Sequence, residues 1–130
     1  MTILLDTSVI IDALRRRRGR REFLESLLGA GHDLACCAIS IAEVYAGMRP
    51  EEERTISRFF DDLLYVEMSR DTARSAGELR ARWRHRGKTL SLPDAMIAAV
   101  ALAENLTLAT DNVKDFLMPD LKLLDLPTVQ

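Results

Sequence analysis

Short apolar runs alternate with segments of helical spacing along most of the chain. Residues 3–5 and 34–39 are apolar without alternation, which is typical of strands buried on both faces of a sheet. Residues 106–109 predict another strand, and shorter edge strands are expected at 64–66 and 121–126. Because helical segments separate these runs, the pattern predicts an α/β fold.

The segments between the strands have the spacing and end signals of helices. A first helix is predicted from Thr7 or Ser8, as its cap, through the arginines at 15–18. Ser40 is expected to open another helix after the second strand. Residues 95–103 are nine consecutive apolar positions, which predicts a helix buried on nearly all sides. Further helices are expected at 21–28, after Pro50, and at 71–86.

Length and composition bound the class of protein. The chain has 130 residues, of which 48% are hydrophobic and 29% charged, as expected for one globular domain spanning 1–130. No stretch approaches the roughly 18 apolar residues of a membrane span, and no basic signal region precedes the first strand. A cytoplasmic protein without membrane attachment is therefore expected. The adjacent Cys36 and Cys37 match no zinc or disulfide spacing and are expected to be buried in the second strand.

Positive charge is clustered, although the net charge is −2. Residues 1–88 carry 16 basic and 14 acidic side chains, whereas 89–130 carry two and six. Arginine fills six of the seven positions in the first basic run, residues 15–21. The second basic run, residues 80–88, contains four arginines and one lysine. Such clusters indicate a polyanionic partner, although a solvated helix end explains Arg15–Arg18 equally well.

Two aspartates directly follow predicted strands. Asp6 comes after the run 3–5, and Asp111 comes after 107–110. The carboxyl ends of parallel strands form the edge at which open α/β sheets bind ligands. Each aspartate alone is explained as well by a turn or a helix start.

Two further acids occupy helix starts. Glu43 stands three residues after Ser40, and Asp94 stands three residues after Ser91, so both pairs fit a capping box. Both acids are also adjacent to apolar elements, which would bring them to the same sheet edge as Asp6. Four carboxylates meeting there would repel one another and would either bind protons or hold a cation.

The ligand chemistry of such a cluster favours Mg²⁺ or Mn²⁺, because hard cations prefer oxygen ligands. Ion-held carboxylates beside basic runs point to phosphodiester cleavage by an activated water, with arginine positioning phosphate. No Ser-His or Cys-His pair offers another nucleophile.

Four motifs together resemble the PIN-domain ribonucleases, and within them the VapC toxins of bacterial toxin–antitoxin pairs. The motifs are Leu-Leu-Asp-Thr-Ser at 4–8, Ser-Ile-Ala-Glu-Val at 40–44, Leu-Pro-Asp-Ala at 92–95 and Thr-Asp-Asn at 110–112 with Asp115-Phe116. The resemblance implies a metal-binding catalytic cluster of Asp6, Glu43, Asp94 and Asp111. It implies polar support from Thr7, Ser8, Thr110 and Asn112, and Asp115 shares or takes the role of Asp111.

The same resemblance implies a three-layer α/β/α sandwich with a central parallel sheet. It also implies an endoribonuclease that acts on RNA, with tRNA among the candidate substrates, and that forms a homodimer. A small VapB-type antitoxin would block the site and carry the complex to operator DNA.

Four alternatives to this interpretation differ in how well the residues support them. A haloacid-dehalogenase-like phosphatase needs a second aspartate two residues after Asp6, where this chain has Ser8. A non-toxin PIN nuclease and a catalytically silent nucleic-acid-binding module of the same fold stay open. A phosphate-binding glycine loop is unsupported, because residues 6–8 contain no glycine.

Overall fold

The structure, a computed structural model, describes residues 1–127 and contains a five-stranded sheet flanked by helices. The strands are β1 (Thr2–Leu5), β2 (Asp33–Cys37), β3 (Leu64–Val66), β4 (Thr107–Ala109) and β5 (Lys122–Leu124). The α-helices are α1 (Thr7–Leu14), α2 (Arg20–Gly29), α3 (Ala38–Ala46), α4 (Glu53–Asp61), α5 (Arg70–His85) and α6 (Leu92–Ala103). Short 3₁₀ helices span Pro50–Glu52 and Val113–Asp115. The strands expected at 64–66 and 121–126 are therefore present, the latter shortened.

All strand pairs are parallel, and the order is β3-β2-β1-β4-β5. β1 lies at the centre, where Leu4 pairs with Ala35 of β2 and Leu5 pairs with Ala109 of β4. The backbone N–H of Asp6 continues this ladder by donating to the Ala109 carbonyl at 3.0 Å. The residues that follow β1 and β4 are therefore neighbours at the carboxyl edge of the sheet.

Two apolar cores, one on each face of the sheet, confirm the predicted three-layer sandwich. Ile3 and Leu5 of β1 pack into the core beneath α1–α4, whereas Leu4 packs into the core beneath α5 and α6. Cys36 and Cys37 likewise enter opposite cores as buried free thiols, as expected. None of the helices within residues 1–127 is long and apolar enough to span a membrane.

Helix α6 confirms the prediction from the apolar run 95–103. Ser91 is its N-cap, and the side chain of Ser91 accepts a hydrogen bond from the backbone N–H of Asp94 at 3.2 Å. Residues 95 and 97–101 are buried between the sheet and α5. Packing of the helix against the sheet and α5 therefore fixes the position of its first turn, which contains Asp94.

Three sequence predictions about helix ends are wrong. The first helix ends at Leu14 rather than continuing through the arginines, because the chain turns with positive φ at Arg16 and Arg18. Its cap is Asp6, not Thr7 or Ser8. Helix α3 begins at Ala38, so Ser40 lies inside the helix and forms no capping box with Glu43.

Candidate active site

Asp6 is the most enclosed acid at the carboxyl edge of the sheet. Only 4% of its surface is exposed, at the point where β1 passes directly into α1. Its Oδ1 accepts from the backbone N–H of Thr7 at 2.9 Å, and its Oδ2 accepts from the Thr110 hydroxyl at 2.7 Å. The backbone N–H of Asn112 donates to the same Thr110 oxygen at 3.0 Å. Hydrogen bonds from β1–α1 and from the end of β4 therefore fix this carboxylate.

Glu43 projects from α3 and is tied to the same edge through Thr7. The Thr7 hydroxyl donates to Glu43 Oε1 at 2.7 Å and lies 3.0 Å from the Ser40 hydroxyl. A hydroxyl has a single proton, so the Thr7 hydroxyl donates to either Glu43 or Ser40 at any one time, and the distance to Glu43 is the shorter. Ser40 is fully buried, and its contribution to the site was missed because the spacing to Glu43 suggested a cap.

Electrostatic repulsion links four of the acids. Burial is the main cause that raises the pKa of Asp6, and the charges of Asp94 and Glu43 raise it further, against the hydrogen bonds from Thr110 and Thr7. Burial also raises the pKa of Asp94, and Asp115 and Glu43 add to this effect. Negative charge is thus concentrated among Asp6, Glu43, Asp94 and Asp115.

Asp111 has a different environment from these four acids. Its Oδ1 accepts a hydrogen bond from Nη2 of Arg20 at 2.5 Å, and Nη1 of Arg18 lies 3.8 Å away. Asp115 lies in the 3₁₀ helix that follows. The sequence left open which of these two aspartates is the fourth acid, and the structure brings Asp115 into the mutually repelling group and pairs Asp111 with an arginine.

The donor chemistry of the four acids fits a hard divalent cation, which would relieve the repulsion. Among the residues that the structure describes, no three acidic, histidine or cysteine side chains converge closely enough to hold an ion as they stand. Glu43 is exposed and Asp94 half-buried, so neither side chain is closely packed on all sides.

The remaining predicted supporting residues differ in their contacts. Ser8 follows Thr7 in α1, and its buried hydroxyl has no hydrogen-bond partner within residues 1–127. Asn112 is exposed and contributes its backbone N–H to Thr110. Thr7 and Thr110 are therefore the supports with direct hydrogen bonds to the acids.

Fold and site together define a PIN-type arrangement, in which a parallel sheet brings acids from β1, α3, α6 and the end of β4 to one edge. The family model described as PIN domain matches residues 3–117. The chain belongs to the PIN domain family. PIN-domain ribonucleases generally depend on divalent metal ions.

Within this family, the chain is similar to ribonucleases named VapC. It is 32% identical over 120 residues to ribonuclease VapC19 of Mycobacterium tuberculosis, covering 92% of this chain and 96% of the relative. It is 36% identical over 116 residues to ribonuclease VapC10 of the same species, covering 89% and 86%.

Solved structures show the same likeness. A chain of VapBC2 from Rickettsia felis, bound to a DNA fragment from its promoter, superposes with a TM-score of 0.82 at 28% identity and covers 98% of this chain and 100% of that chain. A chain of VapBC-1 from Haemophilus influenzae superposes with a TM-score of 0.78 at 26% identity and covers 96% and 98%.

Proposed function

We propose that this chain, as a single PIN domain over 1–130, is a metal-dependent endoribonuclease toxin held inactive by a cognate antitoxin. The carrying observation is the meeting of acids at the carboxyl edge of the sheet, where hydrogen bonds through Thr7 and Thr110 hold Glu43 and Asp6, and where the charges of Glu43, Asp94 and Asp115 raise the pKa of their neighbours Asp6 and Asp94. Charge concentrated in this way favours a bound cation over free carboxylates. The ribonuclease names of the relatives support RNA as the substrate class.

In this proposal Asp6, Glu43 and Asp94 hold the ion, and Asp115 is the fourth acid. A Mg²⁺ or Mn²⁺ ion held there would supply an activated water and would neutralise charge on the phosphate and the leaving oxygen. Thr110 and the backbone of Thr7 hold the Asp6 carboxylate in one orientation, and the Thr7 hydroxyl restrains Glu43. The protein thereby limits the rotation of two of the acids before substrate arrives.

The second basic run is proposed to bind the RNA backbone. Helices α5 and α6 are antiparallel, since Ser75 shares a cavity with Leu102 and Ala103, whereas Nε of Arg80 donates at 3.2 Å to the carbonyl of Leu90, two residues before α6. Arg82 of the second basic run also lines that cavity. The basic end of α5 therefore lies at the end of the helix pair where α6 begins with Asp94. Arginine and lysine there would contact phosphates on either side of the bond to be cleaved.

A small VapB-type antitoxin is the proposed partner protein. Several solved neighbours are VapBC complexes, and one of them is bound to promoter DNA. A basic side chain of such a partner would pair with the carboxylates of Asp6 and Asp94 in place of the ion. We further propose a cytoplasmic homodimer that meets DNA only through its antitoxin, with tRNA among the RNA candidates.

A metal-removal experiment tests the activity. Purified protein should cleave RNA with Mg²⁺ or Mn²⁺, lose cleavage in EDTA, and recover it when either ion is added in excess. A product distribution with internal cuts distinguishes an endoribonuclease from an exonuclease. Cleavage that persists unchanged in EDTA after dialysis would contradict the proposed chemistry.

A growth experiment tests the toxin assignment separately. Expression of the chain alone should arrest growth, and co-expression of the adjacent small gene should restore growth through a stable complex. Harmless expression of folded, metal-bound and RNA-cleaving protein would favour a non-toxin nuclease of the same fold.

A further inference from the structure

Arg20 is a buried arginine that joins three segments of the chain. Only 3% of its side chain is exposed. Its Nη2 donates to Asp111 Oδ1 at 2.5 Å, and its Nη1 donates to the carbonyl of Pro127 at 2.9 Å and to that of Arg18 at 3.3 Å. The guanidinium therefore connects the turn after α1, the segment after β4 and the segment after β5.

The local backbone is unfavourable for this arrangement. Arg20 is the first residue of α2, where the helix dipole disfavours a cation. The preceding turn holds Arg16 at φ 53° and Arg18 at φ 56°, a region that side chains other than glycine rarely adopt. Local preference does not place Arg20 here, so its tertiary contacts must compensate for that cost.

The principal contact of Arg20 leads to the candidate active site. Asp111 stands between Thr110, whose hydroxyl donates to Asp6, and Asn112, whose backbone N–H donates to that hydroxyl. Asp115, one of the four repelling acids, follows four residues later. Restraining Asp111 therefore restrains the segment that carries Thr110 and Asp115.

We propose that Arg20 is a positioning residue that clamps Asp111 and thereby sets the position of residues 110–115 at the active-site edge. The carboxylate of Asp111 pairs with Arg20 and does not hold the ion. For its effect on cleavage the proposal rests on the proposed function, whereas its effects on folding and local motion do not.

A double-mutant cycle tests the clamp with Arg20→Met, Asp111→Leu and the combined variant. Asp111→Leu leaves the buried Arg20 guanidinium without a carboxylate and should lower the folding equilibrium constant in urea titrations by about 100-fold or more. Arg20→Met leaves the Asp111 carboxylate with only the exposed Arg18 at 3.8 Å and should lower it by about 10- to 100-fold. The combined variant replaces both charges by apolar groups and should lie within about 10-fold of wild type. Arg21→Met, which removes a half-exposed arginine 3.6 Å from Glu25, is the matched control. This substitution should change the folding equilibrium constant by less than about 5-fold.

Hydrogen exchange, RNA cleavage and Mn²⁺ binding distinguish a residue that positions 110–115 from one that only stabilises the fold. In the combined variant, amide hydrogen exchange at residues 110–116 should accelerate by about 10-fold while protection of β1 and α6 is kept. Its kcat for RNA should fall by about 10-fold with KM unchanged, and its Mn²⁺ dissociation constant, measured by calorimetry, should stay within about 3-fold of wild type. Arg20→Lys retains the charge opposite Asp111 and should recover part of the exchange protection.

Three results would overturn the clamp. If the stability losses of the two single variants add up to the loss in the combined variant, Arg20 and Asp111 act independently. Unchanged exchange at 110–116 in a stable combined variant would mean that the pair positions nothing. Mn²⁺ binding weakened 10-fold or more in that variant would make Asp111 an ion ligand. Wild-type protein that binds Mn²⁺ but cleaves no RNA would instead remove the proposed function, and the exchange measurement would still decide the clamp.

Discussion

The two basic runs have similar composition and very different surroundings. In the first basic run, four arginines lie within 4 Å of acids. Arg15 approaches Glu52 at 3.9 Å, Arg18 approaches Asp12 and Asp111 at 3.9 and 3.8 Å, Arg20 binds Asp111, and Arg21 lies 3.6 Å from Glu25. In the second basic run, no side chain forms an ion pair with an acid of the described chain. The first run therefore has acidic neighbours within the molecule, of which only the Asp111 contact of Arg20 is buried, whereas the second has none among the described residues.

The contrast follows from how each run is held. The first run spans the turn between α1 and α2 and the first two residues of α2, close to acids of other segments. The second lies at the exposed end of a long helix, where Arg86 and Lys88 stand 5.5 and 6.0 Å from the centre of the buried Trp83 ring. Clustered positive charge in a sequence therefore does not by itself indicate a nucleic-acid partner, because the fold can place acids beside it.

The largest expected effect separates chemistry from RNA binding. Asp94→Asn keeps the shape of the side chain but removes a charge that would hold the ion, so cleavage should fall by at least about 100-fold. Because the second basic run is untouched, the dissociation constant for RNA should not rise. Glu104→Gln, at the opposite end of α6, is the matched neutralisation and should leave both quantities unchanged. Full cleavage by folded Asp94→Asn protein would remove Asp94 from the proposed site.

The next effect tests the second basic run directly. Arg82→Glu combined with Arg86→Glu should raise the RNA dissociation constant by about 10- to 100-fold and flatten its salt dependence, because lost phosphate contacts release fewer counterions. Filter binding with Asp94→Asn protein measures this without cleavage.

The control for that pair lies on the same helix. Arg70→Glu combined with Arg74→Glu makes the same change of net charge at the other end of α5, about 20 Å away. Equal losses in both double variants would mean that overall charge, and not the position of the second basic run, governs binding.

Much of this fold could be predicted from the sequence where local pattern and tertiary packing agree. Burial was expected for the apolar runs of β1 and β2 and for the nine apolar residues of α6. These elements pack in the cores on the two faces of the sheet. The four acids were identified from motif and position, and the structure brings Asp6, Glu43 and Asp94 to one edge. The catalytic role of these acids stays a prediction.

Other features depend on contacts that no local pattern contains. Arginine is a good helix former, so residues 15–18 predicted a continued helix, whereas the chain turns there and delivers Arg20 to Asp111. Ser40 fitted a cap by spacing, but its hydroxyl instead meets Thr7 from another element. The environment of Asp111 could not be inferred, because its partner lies 91 residues earlier.

Stability measured as a function of pH extends the comparison to the acids. Among the described residues, Asp6 and Asp94 at the candidate site lack the arginine partner that Asp111 has. Burial and neighbouring charge raise the folded-state pKa of Asp6 and Asp94, so the folded state takes up protons more readily than the unfolded chain. The contribution of these two acids to metal-free stability is therefore fully present below pH 3.8, the ordinary value, and is lost as pH rises through the raised pKa values. Asp6→Asn should make urea midpoints between pH 4 and 8 fall less steeply, at about constant m-value. A slope as steep as that of wild type would contradict the raised pKa of Asp6.

The smallest expected effect concerns Arg21, a member of the first basic run outside the clamp. Its side chain lies in the first turn of α2, where the helix dipole disfavours a cation, and its pairing with Glu25 is half-exposed. Arg21→Ala should therefore change the free energy of unfolding by less than about 0.5 kcal/mol, with the better helix propensity of alanine offsetting the lost pair. RNA affinity, measured in the same assay as the Arg82 and Arg86 variants, should stay within about 2-fold of wild type. The loss of one positive charge accounts for a change of that size. A 10-fold loss of affinity in Arg21→Ala would show that RNA also contacts the first basic run. The proposal that the second run alone binds RNA would then be wrong.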